Sequence, residues 1–474
     1  MCGILAIFRK TGNSVPEASK GFEEIKSRGL DGKGFAIDGK SADELNGSGK
    51  QVICHALHSI VGDASQPFIG KGVLSANCEI YNWKELSDRY SLSAKNDAHA
   101  LFLLLEKFGL EKLEELDGDY AFVYVRGGNA FLGRDLVGVK PLSYARKGDA
   151  FAAASEPKAL KAMGFGEVTE ASPKCWTIVD LESLDVKKTG RGFYSASPEL
   201  DEDENTLVDD LGKLLAGAVR KRVPEKKAGI LFSGGLDSSI IAILLKRLGV
   251  EITAYMAVFG DRHKDLEYAR KSAASIGIPL KLIHASEGET RSVLRKVGRI
   301  IETEDRVQMG IALPLYFASG EAGEDGVKVI FSGQGADDLF AGYHRFLSAK
   351  DINSECLDRI ASIHSRDMFR DDAVTMHNHV ELRVPFLDME VIRYGLRIPD
   401  RYKIRDGNRK YILQKLAVKL GIPVEIALRE KTAAQYGSGF DQALRKSGNG
   451  TVLGADEPPF DEYKGYGSED ERQP

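Results

Sequence analysis

Apolar residues along this chain follow two rhythms, and the change from one to the other comes near residue 200. Before it, short alternating or wholly apolar runs at 4–8, 51–55, 72–76, 120–125 and 150–154 predict strands, with helical spacing around 18–27 and 98–108. Short strands with few intervening helices predict a layered α+β domain. Residues 195–205, Ser-Ala-Ser-Pro-Glu-Leu-Asp-Glu-Asp-Glu-Asn, are polar, acidic and proline-bearing, which marks a solvated linker. Beyond them, apolar runs at 228–232, 252–258, 280–284 and 327–331 alternate with helical patterns at 238–248 and 265–276. That alternation predicts a parallel sheet with crossover helices, whose ligand sits at the carboxyl ends of the strands. Residues 382–444 read as mostly helical. The stretch 446–474, rich in Gly, Asp and Glu with few aliphatics, reads as a disordered acidic tail. No internal repeat is present.

One loop stands out in the second half. Ser-Gly-Gly-Leu-Asp-Ser-Ser at 233–239 follows the strand at 228–232 and opens the helix at 238–248. Glycines and hydroxyls there let backbone N–H groups close on phosphate oxygens at a positive helix end. The spacing lacks the Gly-x-x-x-x-Gly-Lys-Ser/Thr of a Walker loop, so the expectation is a pyrophosphate cradle in which Asp237 meets Mg²⁺. Plain turn chemistry is the alternative reading of the same residues.

Length and composition narrow the class. A chain of 474 residues exceeds one ordinary core, and an apolar content of 43% suffices to fill two or three. The 65 basic and 70 acidic residues are interspersed, which argues against a nucleic-acid or membrane surface and for small-molecule partners. No apolar stretch approaches a membrane span or a secretory leader, so a cytoplasmic location is expected. Five cysteines with no Cys-x-x-Cys pair argue against a disulfide framework or a zinc site. Cys2 is different from the rest, because removal of Met1 leaves a thiol and a free α-amine on one residue. The amine, with a reference pKa of about 7.7–8.0, is positioned to take the thiol proton directly or through water.

Six motifs in order carry a resemblance. Met-Cys-Gly-Ile-Leu-Ala-Ile-Phe at the start, Asn-Cys-Glu-Ile-Tyr-Asn at 77–82, Gly-Arg-Asp-Leu-Val-Gly-Val-Lys-Pro-Leu at 133–142 and Ser-Glu-Pro-Lys-Ala-Leu at 155–160 resemble the glutaminase domain of class II glutamine amidotransferases. The 233–239 loop resembles the PP-loop of ATP pyrophosphatases. Together with Ser-Gly-Gln-Gly-Ala-Asp-Asp-Leu-Phe at 332–340 and Glu-Leu-Arg-Val-Pro-Phe-Leu-Asp at 381–388, the chain is similar to the glutamine-hydrolysing asparagine synthetase family up to about residue 440. The resemblance implies an Ntn-hydrolase-like αββα sandwich over 1–196 and a PP-loop α/β domain with a parallel sheet and added helices over 205–445.

The same resemblance implies roles. Cys2 attacks the glutamine amide, with Asn77 and the N–H of Cys78 holding the oxyanion. Glu79 and Asp97 bind the glutamine α-ammonium; solvated surface acids are the alternative. Leu231, Ser233, Gly234, Gly235, Asp237, Ser238, Ser239, Val258, Ser332 and Gly333 bind ATP, Asp237 and Asp337 hold Mg²⁺, and Lys431 is the catalytic lysine. Arg383 either pairs with a substrate carboxylate or forms a structural ion pair, and Asp367 with Arg370 reads as a helix salt bridge. The implied reaction is ATP-dependent amidation of aspartate to asparagine by ammonia from glutamine, through an aspartyl-adenylate and a dry passage between the sites. Another small carboxylate acceptor, or a silent ATP-binding relative, is the competing reading, and a homodimer is the candidate assembly. The pattern departs at four positions. Leu57 stands where the family has the arginine that grips the glutamine carboxylate, beside His58. Cys78 replaces a glycine, and Gln334 and Asp338 replace glutamates.

Overall fold

The run Gly-Ile-Leu-Ala-Ile-Phe at 3–8 is apolar throughout because the strand it forms, Gly3–Arg9, has no face toward water. The computed structural model describes residues 2–60, 62, 65–224, 227–260, 264–429 and 437–446. Its described residues divide into a unit holding 2–193 with His364–His379, and a second holding Tyr194–Ile363 and those within 380–446.

In the first unit Gly3–Arg9 lies inside a seven-stranded sheet, antiparallel to Gln51–Leu57 on one side and Ala150–Ala154 on the other. Ile4, Ala6 and Phe8 point to a second, six-stranded sheet and meet Val123, Leu132 and Val179. Leu5 and Ile7 point the other way, onto the helices Val15–Ile25 and Pro157–Ala162. The outer face of the second sheet, including Leu74, Phe122 and Tyr124, is covered by Leu86, Leu101, Leu104 and Leu105 of the helices Trp83–Arg89 and Asp97–Phe108. The result is the expected αββα sandwich. Each large side chain buried this way contributes about 1.5–3 kcal/mol, enough to fix a strand whose first residues carry the candidate chemistry. Strands such as Gly32–Ile37 and Ser143–Lys147 escape the pattern because their glycine, serine and lysine positions hide the alternation.

The second unit has a five-stranded sheet, parallel throughout, in the order Leu280–Ala285, Ile252–Phe259, Ala228–Leu231, Val329–Phe331, Glu381–Arg383. Chain order reverses between Ala228–Leu231 and Val329–Phe331, and the loops that follow those two strands therefore open onto one crevice. The last strand lies within residues expected to be mostly helical; three residues carry too little pattern to register. Residues 191–203 carry no regular structure, and the last two positions of the 195–205 stretch already belong to a helix. Asp203 then caps the helix Glu204–Lys221 by accepting from Asn205 N at 2.8 Å and Thr206 N at 3.1 Å. No helix among the described residues is long and apolar enough to cross a membrane.

His55 illustrates the dryness between the first unit's sheets. It is fully buried, its Nδ1 lies 3.0 Å from Ser75 Oγ, and burial lowers its pKa to about 3. The unfolded chain therefore takes this proton first as pH falls, so the stability from neutral His55 is full above about pH 6.5 and is lost progressively toward pH 3. Urea melts of His55→Gln across that window should show a pH slope shallower by one proton than the parent; an unchanged slope would contradict the burial argument.

Candidate active site

Cys2 is buried at the head of the central strand, and each of its polar groups is spoken for. Its backbone N donates to Asn77 Oδ1 at 2.9 Å, and its Sγ lies 3.9 Å from the carbonyl oxygen of His58. Because Cys2 N is a donor, the oxygen of the Asn77 amide must face it. The other end, Asn77 Nδ2, is buried with no hydrogen-bond partner. A buried donor left unspent costs about 1–3 kcal/mol, which marks it as kept for something else.

The strand Val73–Ile80 supplies the neighbouring donor. Ala76 N is held by Gln66 Oε1 at 2.8 Å and Ile80 N by Asp97 Oδ2 at 3.0 Å, both on the edge away from the paired strand. Alternation directs the N–H of Cys78 to that same edge, between them. Cys78 has ordinary extended backbone there, so the φ freedom of a glycine is not required. Glu79 and Asp97 are both buried beside it. Burial first, then Asp97, Cys2 and Glu79, push the Cys78 thiol well up, against Lys140. These charges therefore share one small volume. Leu57 is half-buried at the end of Gln51–Leu57, and His58 Nδ1 lies 3.9 Å from Asp31 Oδ2.

Three charged residues at this site went unread. Arg28 is buried, with Nε donating to the Cys2 carbonyl at 3.1 Å, Nη1 to Glu156 Oε1 at 2.6 Å and Nη2 to Asp372 Oδ2 at 2.7 Å. Glu156 also pairs with Lys158. Burial raises its pKa, but Lys158 and Arg28 more than offset that and hold it below the usual range. Glu156 lay in a recognised motif without a role; nothing in the pattern around Arg28 or Asp372 marked either.

In the second unit the loop after Ala228–Leu231 meets the loop after Val329–Phe331. Gly234 has φ +66, and a Cβ there would strike the Ala269 backbone; a Cβ on Gly333 would lie 2.7 Å from Asp237 Cβ. Both glycines let backbone approach backbone at the head of the helix Leu236–Arg247. Ser233 is exposed and Ser238 Oγ lies 3.4 Å from Ser233 Oγ, at the loop's mouth. Ser239 is placed elsewhere: its N–H donates to Gly235 O at 3.0 Å and its hydroxyl lies 2.7 Å from Ser272 Oγ. Leu231 and Val258 end adjacent strands, and Ser332 N donates to Arg383 O at 2.9 Å. Lys431 lies outside the described residues, as do 447–474 of the expected tail.

Asp237 and Asp337 converge on a residue that sequence reasoning missed. Lys410 Nζ is 2.8 and 2.7 Å from the two Asp237 oxygens and 2.6 Å from Asp337 Oδ1, with all three side chains largely buried. Asp237 and Asp337 are two residues that could hold a divalent cation, with Lys410 between them here. Asp338 is fully buried and paired with Arg359 at 2.8 Å. Arg383 donates through Nε to Glu381 at 2.7 Å and through Nη1 to Arg222 O at 2.9 Å, the structural alternative raised above. Arg370 Nη1 lies 3.3 Å from Asp367 Oδ1.

The asparagine synthase family matches residues 210–361 and 348–451, just over half the chain, and the glutamine amidotransferase domain family matches 1–189. A Methanocaldococcus jannaschii protein, provisionally named a glutamine-hydrolysing asparagine synthetase, is 32% identical over 94% of this chain and 95% of its own. Asparagine synthetase B of Escherichia coli is 28% identical over 93% and 85%, and the asparagine synthetase of Cricetulus griseus 32% over 77% and 72%. The chain thus belongs to the glutamine-hydrolysing asparagine synthetase family, as a divergent branch of it.

Proposed function

We propose that the protein amidates L-aspartate to L-asparagine, using ATP and the amide nitrogen of glutamine. The observation that carries the glutaminase half is the buried, unspent Asn77 Nδ2 beside the pinned Cys2. The α-amine of Cys2, freed by loss of Met1, accepts the thiol proton, and the sulfur attacks the glutamine δ-carbon. Asn77 Nδ2 and the N–H of Cys78 hold the resulting oxyanion, worth about 2.7–4 kcal/mol for one such donor. The C–N bond breaks and ammonia leaves; water then cleaves the thioester to glutamate. Glu79 and Asp97 bind the substrate ammonium.

In the second unit the Ser233–Ser238 loop and the Ser332-Gly333 turn cradle ATP, with Leu231 and Val258 against the adenosine. An aspartate β-carboxylate oxygen attacks the α-phosphorus and pyrophosphate leaves; ammonia then attacks the acyl carbon and AMP departs. Asp237 and Asp337 would hold Mg²⁺, which neutralises charge on the leaving pyrophosphate when bound. Lys431 is assigned to the phosphates by family position. Gln334, unlike a glutamate, cannot take the proton that ammonia loses, so that proton leaves by another base.

Two outcomes test this. With ATP, Mg²⁺ and aspartate, amide-labelled glutamine should put label into asparagine, and Cys2→Ala should abolish that reaction while ammonium still drives pyrophosphate release. No aspartate-dependent pyrophosphate would move the acceptor to another small carboxylate. For the metal site, Lys410→Met leaves two buried carboxylates facing each other. Its urea unfolding free energy without divalent ion should drop by about 3–5 kcal/mol. Mg²⁺ should restore much of the loss, and a variant insensitive to Mg²⁺ would contradict the assignment.

A further inference from the structure

We propose that Asp372 is a positioning residue for the Cys2 nucleophile, acting through Arg28, so that a segment from the second half of the chain completes the glutaminase site. The inference rests on the glutaminase reading above and names a residue for it.

A guanidinium is a rigid plane, and its donors cannot be aimed separately. Arg28 spends all three nitrogens: Nε on the Cys2 carbonyl, Nη1 on Glu156 and Nη2 on Asp372. The two carboxylates at the Nη ends therefore set where Nε points, and Nε sets the carbonyl of the residue bearing the thiol. With Asp372 removed, Arg28 is drawn toward Glu156 alone and the third hydrogen bond turns away from Cys2. The side chains of Arg28 and Asp372 are each 1% exposed, so no water replaces the lost partner cheaply.

Asp372 lies on the helix Phe369–His377, within the stretch His364–His379 that belongs to the first unit although the chain on both sides of it belongs to the second. That stretch begins with a π-helical turn, His364–Met368, and is tied down at its start by His364 Nδ1, 2.8 Å from Glu170 Oε1, itself 2.7 Å from Arg134 Nη1. Burial raises the Glu170 pKa, but His364 and Arg134 outweigh it and hold the carboxyl at about 2. A few residues after Asp372 the chain forms the strand Glu381–Arg383, whose Arg383 carbonyl accepts from Ser332 N at 2.9 Å. The segment whose Asp372 carboxylate meets Arg28 is thus continuous in sequence with the strand beside the proposed nucleotide turn.

A buried ion pair that serves stability alone is the competing account, and the experiment separates the two. In the full-length protein, Asp372→Asn, Asp372→Glu and the parent are compared in three assays. These are glutamate release from glutamine, ammonium-driven pyrophosphate release, and the rate at which a diazoketone analogue of glutamine alkylates Cys2. Asp372→Asn should lower kcat for glutamine hydrolysis roughly 10- to 100-fold, with KM changed less than about threefold. Alkylation should slow in parallel, ammonium-driven release should stay within about twofold, and Asp372→Glu should recover part of the loss. Unchanged kcat and alkylation would overturn the proposal. So would equal loss of both nitrogen sources with a lowered melting temperature, the mark of a purely structural pair. A parent enzyme that releases no glutamate would instead bring down the glutaminase reading, and the proposal with it.

Discussion

A buried cation shared by two carboxylates holds each of the two candidate centres. Arg28 sits between Glu156 and Asp372, and Lys410 between Asp237 and Asp337. Removing either cation leaves two buried carboxylates without the charge they share, at a cost of several kcal/mol. The two cations differ in a way that suits their places. The guanidinium is a flat fork that fixes directions, and it fixes the carbonyl of Cys2. The ammonium is a point charge on a flexible stem, able to yield two carboxylates to a metal without tearing a hydrogen-bonded plane.

Around these pairs the sheets do the remaining work. Gly3–Arg9 is buried on both faces, so its first residues cannot wander, and the neighbouring strand Val73–Ile80 brings Asn77 and Cys78 to the same spot. In the second unit the parallel sheet places two loops at the point where the strand order reverses, and close glycines let them touch.

Much of this was legible from the chain. The two apolar rhythms marked a layered first unit and a parallel second one, and Cys2 and the 233–239 loop pointed to their chemistry. What stayed hidden depends on contacts between residues far apart. Arg28 and Asp372 lie 344 positions apart, and Lys410 lies 173 from Asp237. No local period encodes such pairs. Short strands went unread where glycine or length erased alternation, as at Gly32–Ile37 and Glu381–Arg383. The departures from the family pattern fare unevenly. Cys78 is accommodated because its backbone is extended, and Asp338 is reached by Arg359. Leu57 keeps its place at the strand end without the charge expected there.

The central claim is that the second unit activates a side-chain carboxylate by joining it to the α-phosphorus of ATP. Aspartate carrying ¹⁸O in its β-carboxylate, turned over with ATP, Mg²⁺ and ammonium, tests it most directly by mass spectrometry of the nucleotide product. The account predicts one ¹⁸O in AMP for each asparagine formed, because the attacking oxygen leaves with the phosphorus. AMP free of label, or label in the pyrophosphate, would contradict it.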